Sequence, residues 1–139
     1  MSAASNYLEN KLLDHTLTAT TFTAPAARYL ALFLNTSTNA ATNLEAGTLT
    51  DEVSTSGTAY ARQAVTFAAA SSGSSATNAT VTFPAATANF GTITHVAVMD
   101  GSTAGAGNVL FYGAVTTSKT IETGDTFQVT SGNLTISLA

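Results

Sequence analysis

The stretch that decides the fold reads TITHVAVMD (92–100), GSTAGAG (101–107) and NVLFYGAV (108–115). Its first and last parts are rich in β-branched and aromatic residues, which is typical of strands, and a glycine-rich connection lies between them. Both faces of the first run carry apolar side chains: Ile93, Ala97 and Met99 on one face, Val96 and Val98 on the other. A strand that is apolar on both faces is expected to be covered on both sides. The pattern therefore predicts a central hairpin that the rest of the chain covers.

Further strand signals surround this hairpin. They lie at Arg28–Asn35, Gly57–Phe67, Ala76–Phe83, Ser118–Glu122, Thr126–Thr130 and Leu134–Leu138. The last two flank Ser131-Gly132-Asn133, which predicts a hairpin with a bulge. Short strands separated by regular turn signals predict an all-β fold, either an antiparallel β-sandwich or a jelly-roll-like domain. The side chains expected in its core are Phe83, Val98, Phe111, Phe127 and Ile136.

The strongest helix signal is NYLENKLLDH, at Asn6–His15. Asn6 and Glu9 resemble a capping box, and Leu8 and Leu12 share one face because they lie four residues apart. We predict one domain over residues 1–139, with an N-terminal tail and helix over 1–17 and the sandwich over 18–139. So short a helix must pack on something. We expect it to pack on its own sandwich, with a neighbouring subunit as the alternative.

The chain carries few charges: only 9% of its residues are charged, and its net charge is −4. The fixed cations are scattered, at Lys11, Arg28, Arg62 and Lys119. Without a basic run we expect no nucleic-acid binding, and no apolar run approaches the roughly 20 residues of a membrane helix. A surface with few charges suits contact with other proteins, because few charges lose water on contact. A compositional bias of the source organism is the alternative explanation.

The sequence offers no constellation for catalysis. It has no cysteine and only two histidines, His15 and His95, which are far apart and do not make a zinc site. No nucleophile-elbow motif accompanies them, so nothing supports a catalytic triad. His95 lies in a predicted strand, where a structural role is expected. Asp51 and Glu52 could be half of a carboxylate pair, but adjacent acids in a polar loop are usually solvated. We therefore expect no enzyme activity, no metal and no cofactor.

Two segments are too polar or too short for the core to explain them wholly: Ser2–Leu12 and the polar stretch Thr36–Ser56. A loop as long as the second is usually functional or mobile. Both segments are candidates for contact with a partner protein. The candidate interface residues are Tyr7, Leu8, Lys11, Leu12, Leu44, Glu45, Leu49, Asp51 and Glu52.

Several runs together carry a resemblance to a known family. They are SNYLENKLLDHTL (5–17), FTAPAARYLALFLN (22–35), GTAYARQAVTF (57–67), TVTFPAATANFGTITHVAVMD (80–100) and NVLFYGAVTTSKTIETGDTFQVTSGNLTISL (108–138). In these runs the chain resembles a family of small tailed-phage virion structural proteins, whose members are labelled tail-fibre-like or virion structural proteins. The resemblance covers nearly the whole chain apart from 36–56 and 101–107. It implies a virion component and brings no catalytic residues.

Within this resemblance we expect a capsid decoration (cement) protein that binds coat subunits. A short chain without a coiled coil or repeat suits a surface lattice better than an elongated fibre. A tail or tail-fibre structural protein is the alternative. A carbohydrate-binding β-sandwich is less favoured, because the chain has no Trp and most Phe and Tyr lie in predicted strands.

The expected partners are the major capsid protein or other virion proteins, with the chain as a homo-oligomer in the particle. The expected location is the virion, assembled in the host cytoplasm.

Overall fold

The computed structural model describes residues 2–138. Within them, nine strands and two helices follow one another along the chain. They are β1 (Ala3–Ala4), α1 (Asn6–Leu17), β2 (Tyr29–Phe33), α2 (Ala40–Glu45), β3 (Gln63–Ala64), β4 (Ser74–Ala76), β5 (Val81–Thr82), β6 (Gly91–Met99), β7 (Val109–Ile121), β8 (Gln128–Val129) and β9 (Thr135–Ser137). The predicted all-β class with a short N-terminal helix is confirmed.

The central element is a five-stranded antiparallel sheet in the order β1-β7-β6-β2-β3. The hairpin of β6 and β7 lies in its middle, as the glycine-bounded strand signals predict. β7 continues to Ile121, so the separate strand predicted at Ser118–Glu122 is largely the end of β7. Its ladder with β6 is interrupted, because Val115–Ser118 lie opposite the single residue Thr94.

Both faces of the sheet are covered, and the side chains of β2 alternate between them. Leu30 and Leu32 belong to one apolar cluster, and Ala31 and Phe33 belong to the other. Ile93 was expected beside Ala97 and Met99, but it packs with Val96 and Val98. The interrupted pairing between Ile93 and His95 accounts for this change of face, because it breaks the strict alternation of side chains along the strand.

The second layer is an interrupted ribbon of short strands. β4 pairs with β9 and β5 pairs with β8, so that 74–82 runs antiparallel to 128–137 with a register shift between the two parts. The predicted hairpin between Thr126–Thr130 and Leu134–Leu138 is therefore wrong. The segment Ser131-Gly132-Asn133 does not connect two strands that pair with each other. Instead, the Gly132 N–H donates to the carbonyl of Thr77 at 2.7 Å. Ribbon side chains such as Val81 and Phe83 join the cluster of Leu30 and Leu32.

The predicted strand at Gly57–Phe67 is reduced to β3. Ala59 has a φ of 62°, in the left-handed region, and this interrupts the extended backbone. The polar stretch 36–56 also differs from expectation, because it contains α2. Leu44 of α2 is buried against Phe33 and Met99, so α2 covers the face of the sheet opposite the ribbon.

The N-terminal segment is tied to the sheet. Ala3 lies opposite Tyr112 on β7, so the predicted tail forms an edge strand. Ser5, not Asn6, is the N-cap of α1: its Oγ accepts from the Leu8 N–H at 3.3 Å and donates to the Val109 carbonyl. Leu8 packs in the core of its own chain, as the preferred alternative for this helix predicts.

The predicted core is confirmed at three of its five positions. Phe83, Val98 and Phe127 are buried, whereas Phe111 and Ile136 are half-buried and pack against the cluster from outside. The ring of Phe83 stacks on Tyr60, with centroids 6.1 Å apart, and meets Phe127 edge-on at 5.9 Å.

Candidate interaction surfaces

A buried ion pair joins three separate parts of the chain. Arg62 Nε lies 2.7 Å from Glu52 Oε1, and its Nη2 lies 2.8 Å from Oε2. Arg62 Nη1 donates to the carbonyls of Gly101 and Ala106, both at 2.9 Å. Glu52 also accepts from the Gly105 N–H at 2.7 Å. The pair thus holds the glycine-rich loop 101–107 against the sheet.

Tyr60 completes this cluster on the core side. Its hydroxyl donates to Glu52 Oε1 at 2.9 Å and accepts from the Leu32 N–H at 3.1 Å. Burial raises the pKa of Tyr60 far above its usual value, and the nearby Glu52 carboxylate raises it further. Tyr60 therefore stays protonated and serves as a structural donor.

Asp51, the neighbour of Glu52, serves a different structural purpose. Its carboxylate accepts from Thr36 Oγ1 at 2.8 Å and from the N–H of Ser37 at 2.9 Å. Ser37 Oγ donates to it at 2.5 Å, and Asn43 Nδ2 donates at 3.4 Å. Asp51 thereby fastens the turn before α2 to the segment after it. Asp51 and Glu52 have different partners and do not act together as a carboxylate pair.

The two histidines are also separate. His15 is exposed near the end of α1, where its Nδ1 accepts from the Phe22 N–H at 3.1 Å. His95 is half-buried on β6, with Thr94 Oγ1 2.8 Å from its Nδ1. Burial lowers the pKa of His95, and the Asp51 carboxylate opposes that shift in part. Among residues 2–138, neither histidine is hydrogen-bonded to a serine or a carboxylate, as a catalytic triad would need.

Two further findings concern the described residues 2–138. They contain no group of three or more His, Asp or Glu side chains that could hold a metal ion. Neither α1 nor α2 has the length and apolar character that crossing a membrane requires.

The structure divides the candidate interface residues into two groups. Leu8, Leu44 and Asp51 are buried within the chain, and the Glu52 side chain is only 4% exposed. Their side chains stabilise the fold and offer no surface to a partner. The candidates that keep accessible surface are Tyr7, Lys11, Leu12, Glu45 and Leu49. For these five, contact with a partner stays a prediction.

The most exposed apolar side chains are ones that the sequence analysis did not select. Leu13 is 54% exposed, Leu17 is 76% exposed and Leu138 is 53% exposed. The sequence contained a signal for two of them. At 100° per residue, Leu13 and Leu17 fall on the side of α1 opposite Leu8, so a helix that buries Leu8 must expose both.

An apolar notch lies between β7 and the ribbon end formed by β4 and β9. It encloses about 290 Å³ and is lined by residues that include Arg28, Phe67, Leu110, Phe111, Ile136 and Leu138. The half-buried state of Phe111 and Ile136 follows from this opening, because both side chains border it.

The chain was also compared with known proteins. A search of curated proteins finds no match. The family model described as Podophage GP4 fiber I protein gp80 matches residues 3–137. Because this match spans almost the whole chain, the chain belongs to that family. It is a fibre-like structural protein of a tailed-phage virion, in agreement with the resemblance seen in the sequence.

Proposed function

We propose that this member of the podophage GP4 fiber I protein gp80 family is a tail-fibre structural protein that works by binding other virion proteins and further copies of itself. The observation that carries the proposal is the fibre family's match over residues 3–137. This match supports a tail-fibre role more than capsid decoration. The sequence analysis gave the tail-fibre role as the alternative. Assembly would take place in the host cytoplasm.

Internal hydrogen bonds hold two long connections of the fold in one conformation. The glycine-rich loop 101–107 is fixed from inside by Arg62 and Glu52, and the polar stretch 36–56 is fixed by Asp51. Within residues 2–138, every buried side-chain nitrogen and oxygen has a hydrogen-bond partner. Rigid connections of this kind lose little conformational entropy on assembly, since they are already ordered before contact.

We also propose that the chain acts without catalysis. Asp51 and Glu52, the adjacent acids that first suggested a reactive pair, are occupied by structural hydrogen bonds. The test is incubation of the purified chain with host-surface polysaccharide and protein, with released reducing ends and peptides as the readout. Release that is lost in a His95→Ala variant would overturn the proposal.

The location is tested by immunogold labelling of intact particles with antibodies raised against the purified chain. We expect gold along the tail fibres and none on the capsid. Gold distributed over the capsid shell would instead support decoration, which the compact chain without a coiled coil still favours. Particles treated with pre-immune serum are the control.

A further inference from the structure

α1 presents two apolar side chains on its outer side. Leu13 and Leu17 lie four residues apart, so they share one face, and they are 54% and 76% exposed. On the opposite side of the helix Leu8 is buried in the core. The outer pair therefore contributes less than Leu8 to the packing that holds α1 in place.

The notch between β7 and the ribbon has the matching chemistry. Phe67, Phe111 and Ile136 line it as half-buried side chains, and Leu138 stands at its border with 53% of its surface exposed. Docking of a helix into an apolar groove through anchors at i and i+4 is a common way for proteins to bind helices. The apolar side chains of the notch could contact such anchors directly.

The charges beside the two features have opposite signs. Asp14 lies next to Leu13 in sequence, and Arg28 lines the notch. Within residues 2–138, the one ion pair is that of Arg62 with Glu52, so neither Asp14 nor Arg28 has an ionic partner among these residues. Among the same residues, Arg28 donates to the carbonyl of Pro25, at 3.0 Å. One of the four fixed cations of the chain therefore lies at the apolar notch.

We propose that α1 of one copy docks into the notch of a second copy, with Leu13 and Leu17 as anchors and Asp14 paired to Arg28 of the receiving copy. This specifies the self-association on which the proposed assembly role rests. The two contact surfaces differ, so the interface is heterologous, and successive copies join head to tail. Such an interface closes into a ring if the rotation allows, and otherwise forms an open filament.

The test is sedimentation of the purified full-length chain over a range of concentrations. We expect concentration-dependent association of the unaltered chain. The variant Leu13→Ser/Leu17→Ser should associate at least about tenfold more weakly. Lys119→Ser is the control: it changes an exposed residue of β7 that lies outside both α1 and the notch, and it should leave the association unchanged. Thermal melting of each variant checks that the fold is intact.

Charge reversal tests the orientation of the contact. Asp14→Lys and Arg28→Glu should each weaken association, and the double variant should recover it, because the pair is then restored with inverted signs. A loss caused only by misfolding at Arg28 would not be repaired by a change at Asp14.

Three outcomes would overturn the inference. They are a chain that stays monomeric at the highest concentration it tolerates, association that survives loss of both leucines, and a double charge reversal without recovery. These outcomes are separate from the fate of the proposed function. A chain that labels tail fibres and still associates after loss of both leucines overturns the docking alone, and a self-associating chain found on the capsid overturns the tail-fibre location alone.

Discussion

Arg62 and Glu52 form a bidentate salt bridge, with Nε–Oε1 at 2.7 Å and Nη2–Oε2 at 2.8 Å. Their side chains are 0% and 4% exposed, so both charges lie out of reach of water. The planar guanidinium can make this contact and still donate to the carbonyls of Gly101 and Ala106. The pair joins the segment after α2, the segment before β3 and the β6–β7 loop.

Replacing Arg62 by Met should destabilise the chain by about 3–5 kcal/mol, because it leaves the Glu52 carboxylate buried without a counter-charge. The β6–β7 loop should loosen as well. The measurement is denaturant unfolding together with hydrogen exchange, in which the Gly105 amide should exchange faster. The double variant Arg62→Met/Glu52→Leu is the control and should cost less than the single one. A single-variant cost below about 1 kcal/mol would show that the pair does not stabilise the fold.

Gly107 and Gly105 allow a matched comparison within the same loop. Their φ values are 82° and 76°, so alanine at either position incurs the left-handed backbone cost of about 1–2 kcal/mol. A Cβ at Gly107 would also lie 2.7 Å from Asp100 Oδ1, whereas a Cβ at Gly105 meets nothing within 4 Å. Asp100 cannot move freely, because it accepts from the N–H and Nδ2 of Asn108.

Gly107→Ala should therefore lower the free energy of unfolding by at least about 1 kcal/mol more than Gly105→Ala. Thermal or urea unfolding of the two variants measures this difference. Equal losses of unfolding free energy in the two variants would mean that the Asp100 carboxylate moves away from the new Cβ without an energetic cost.

Phe83 and Phe111 should differ, although the sequence predicts both in the core. Phe83 is 1% exposed and contacts the rings of Tyr60 and Phe127, so Phe83→Ala should cost about 3–5 kcal/mol. Phe111 borders the open notch, and Phe111→Ala should cost about 1–2 kcal/mol. Denaturant unfolding compares the two, and a larger cost at Phe111 would contradict the packing described.

The parts of the fold that the sequence predicts well are those that local pattern determines. The β2 run YLALF alternates between two apolar sets, and the β6–β7 hairpin is bounded by a glycine-rich loop. The strand partners of the ribbon were wrong because β8 and β9 pair with β5 and β4, tens of residues away, and a turn signal reports only local geometry. The register change at Thr94 could not be predicted from the sequence either, since it depends on the partner strand β7.

The candidate surface was predicted less well, for a different physical reason. Asp51 and Glu52 appeared to be solvated because acidic residues are rarely buried without partners. Their partners lie at Ser37 and Arg62, and sequence distance concealed both contacts. The sequence analysis considered only the face of α1 that carries Leu8 and Leu12, and it did not follow the helical period to Leu13 and Leu17 on the opposite side.

The ionisation of Asp51 should make the stability of the fold depend on pH in the acid range. Burial alone would raise its pKa, but hydrogen bonds from Ser37, Thr36 and Asn43 together outweigh burial and lower the pKa below its usual value of 3.8. Because the folded pKa is the lower one, the ionised carboxylate stabilises the fold. This contribution is fully present above the pKa of Asp51 in the unfolded chain, about 3.8, and is lost as the pH falls through the folded value.

The variant Asp51→Asn should accordingly be less stable than the unaltered chain at pH 7, by about 1–3 kcal/mol, since it loses charge-assisted hydrogen bonds from the turn before α2. The gap between the two proteins should narrow as the pH falls below about 4, because protonation removes the same charge from Asp51. Urea unfolding from pH 7 down to pH 2.5 measures both curves. Taking their difference removes the contribution of the other carboxylates. A gap that stays constant down to the lowest pH would show that the Asp51 charge does not stabilise the turn, and that the asparagine acts only through its shape.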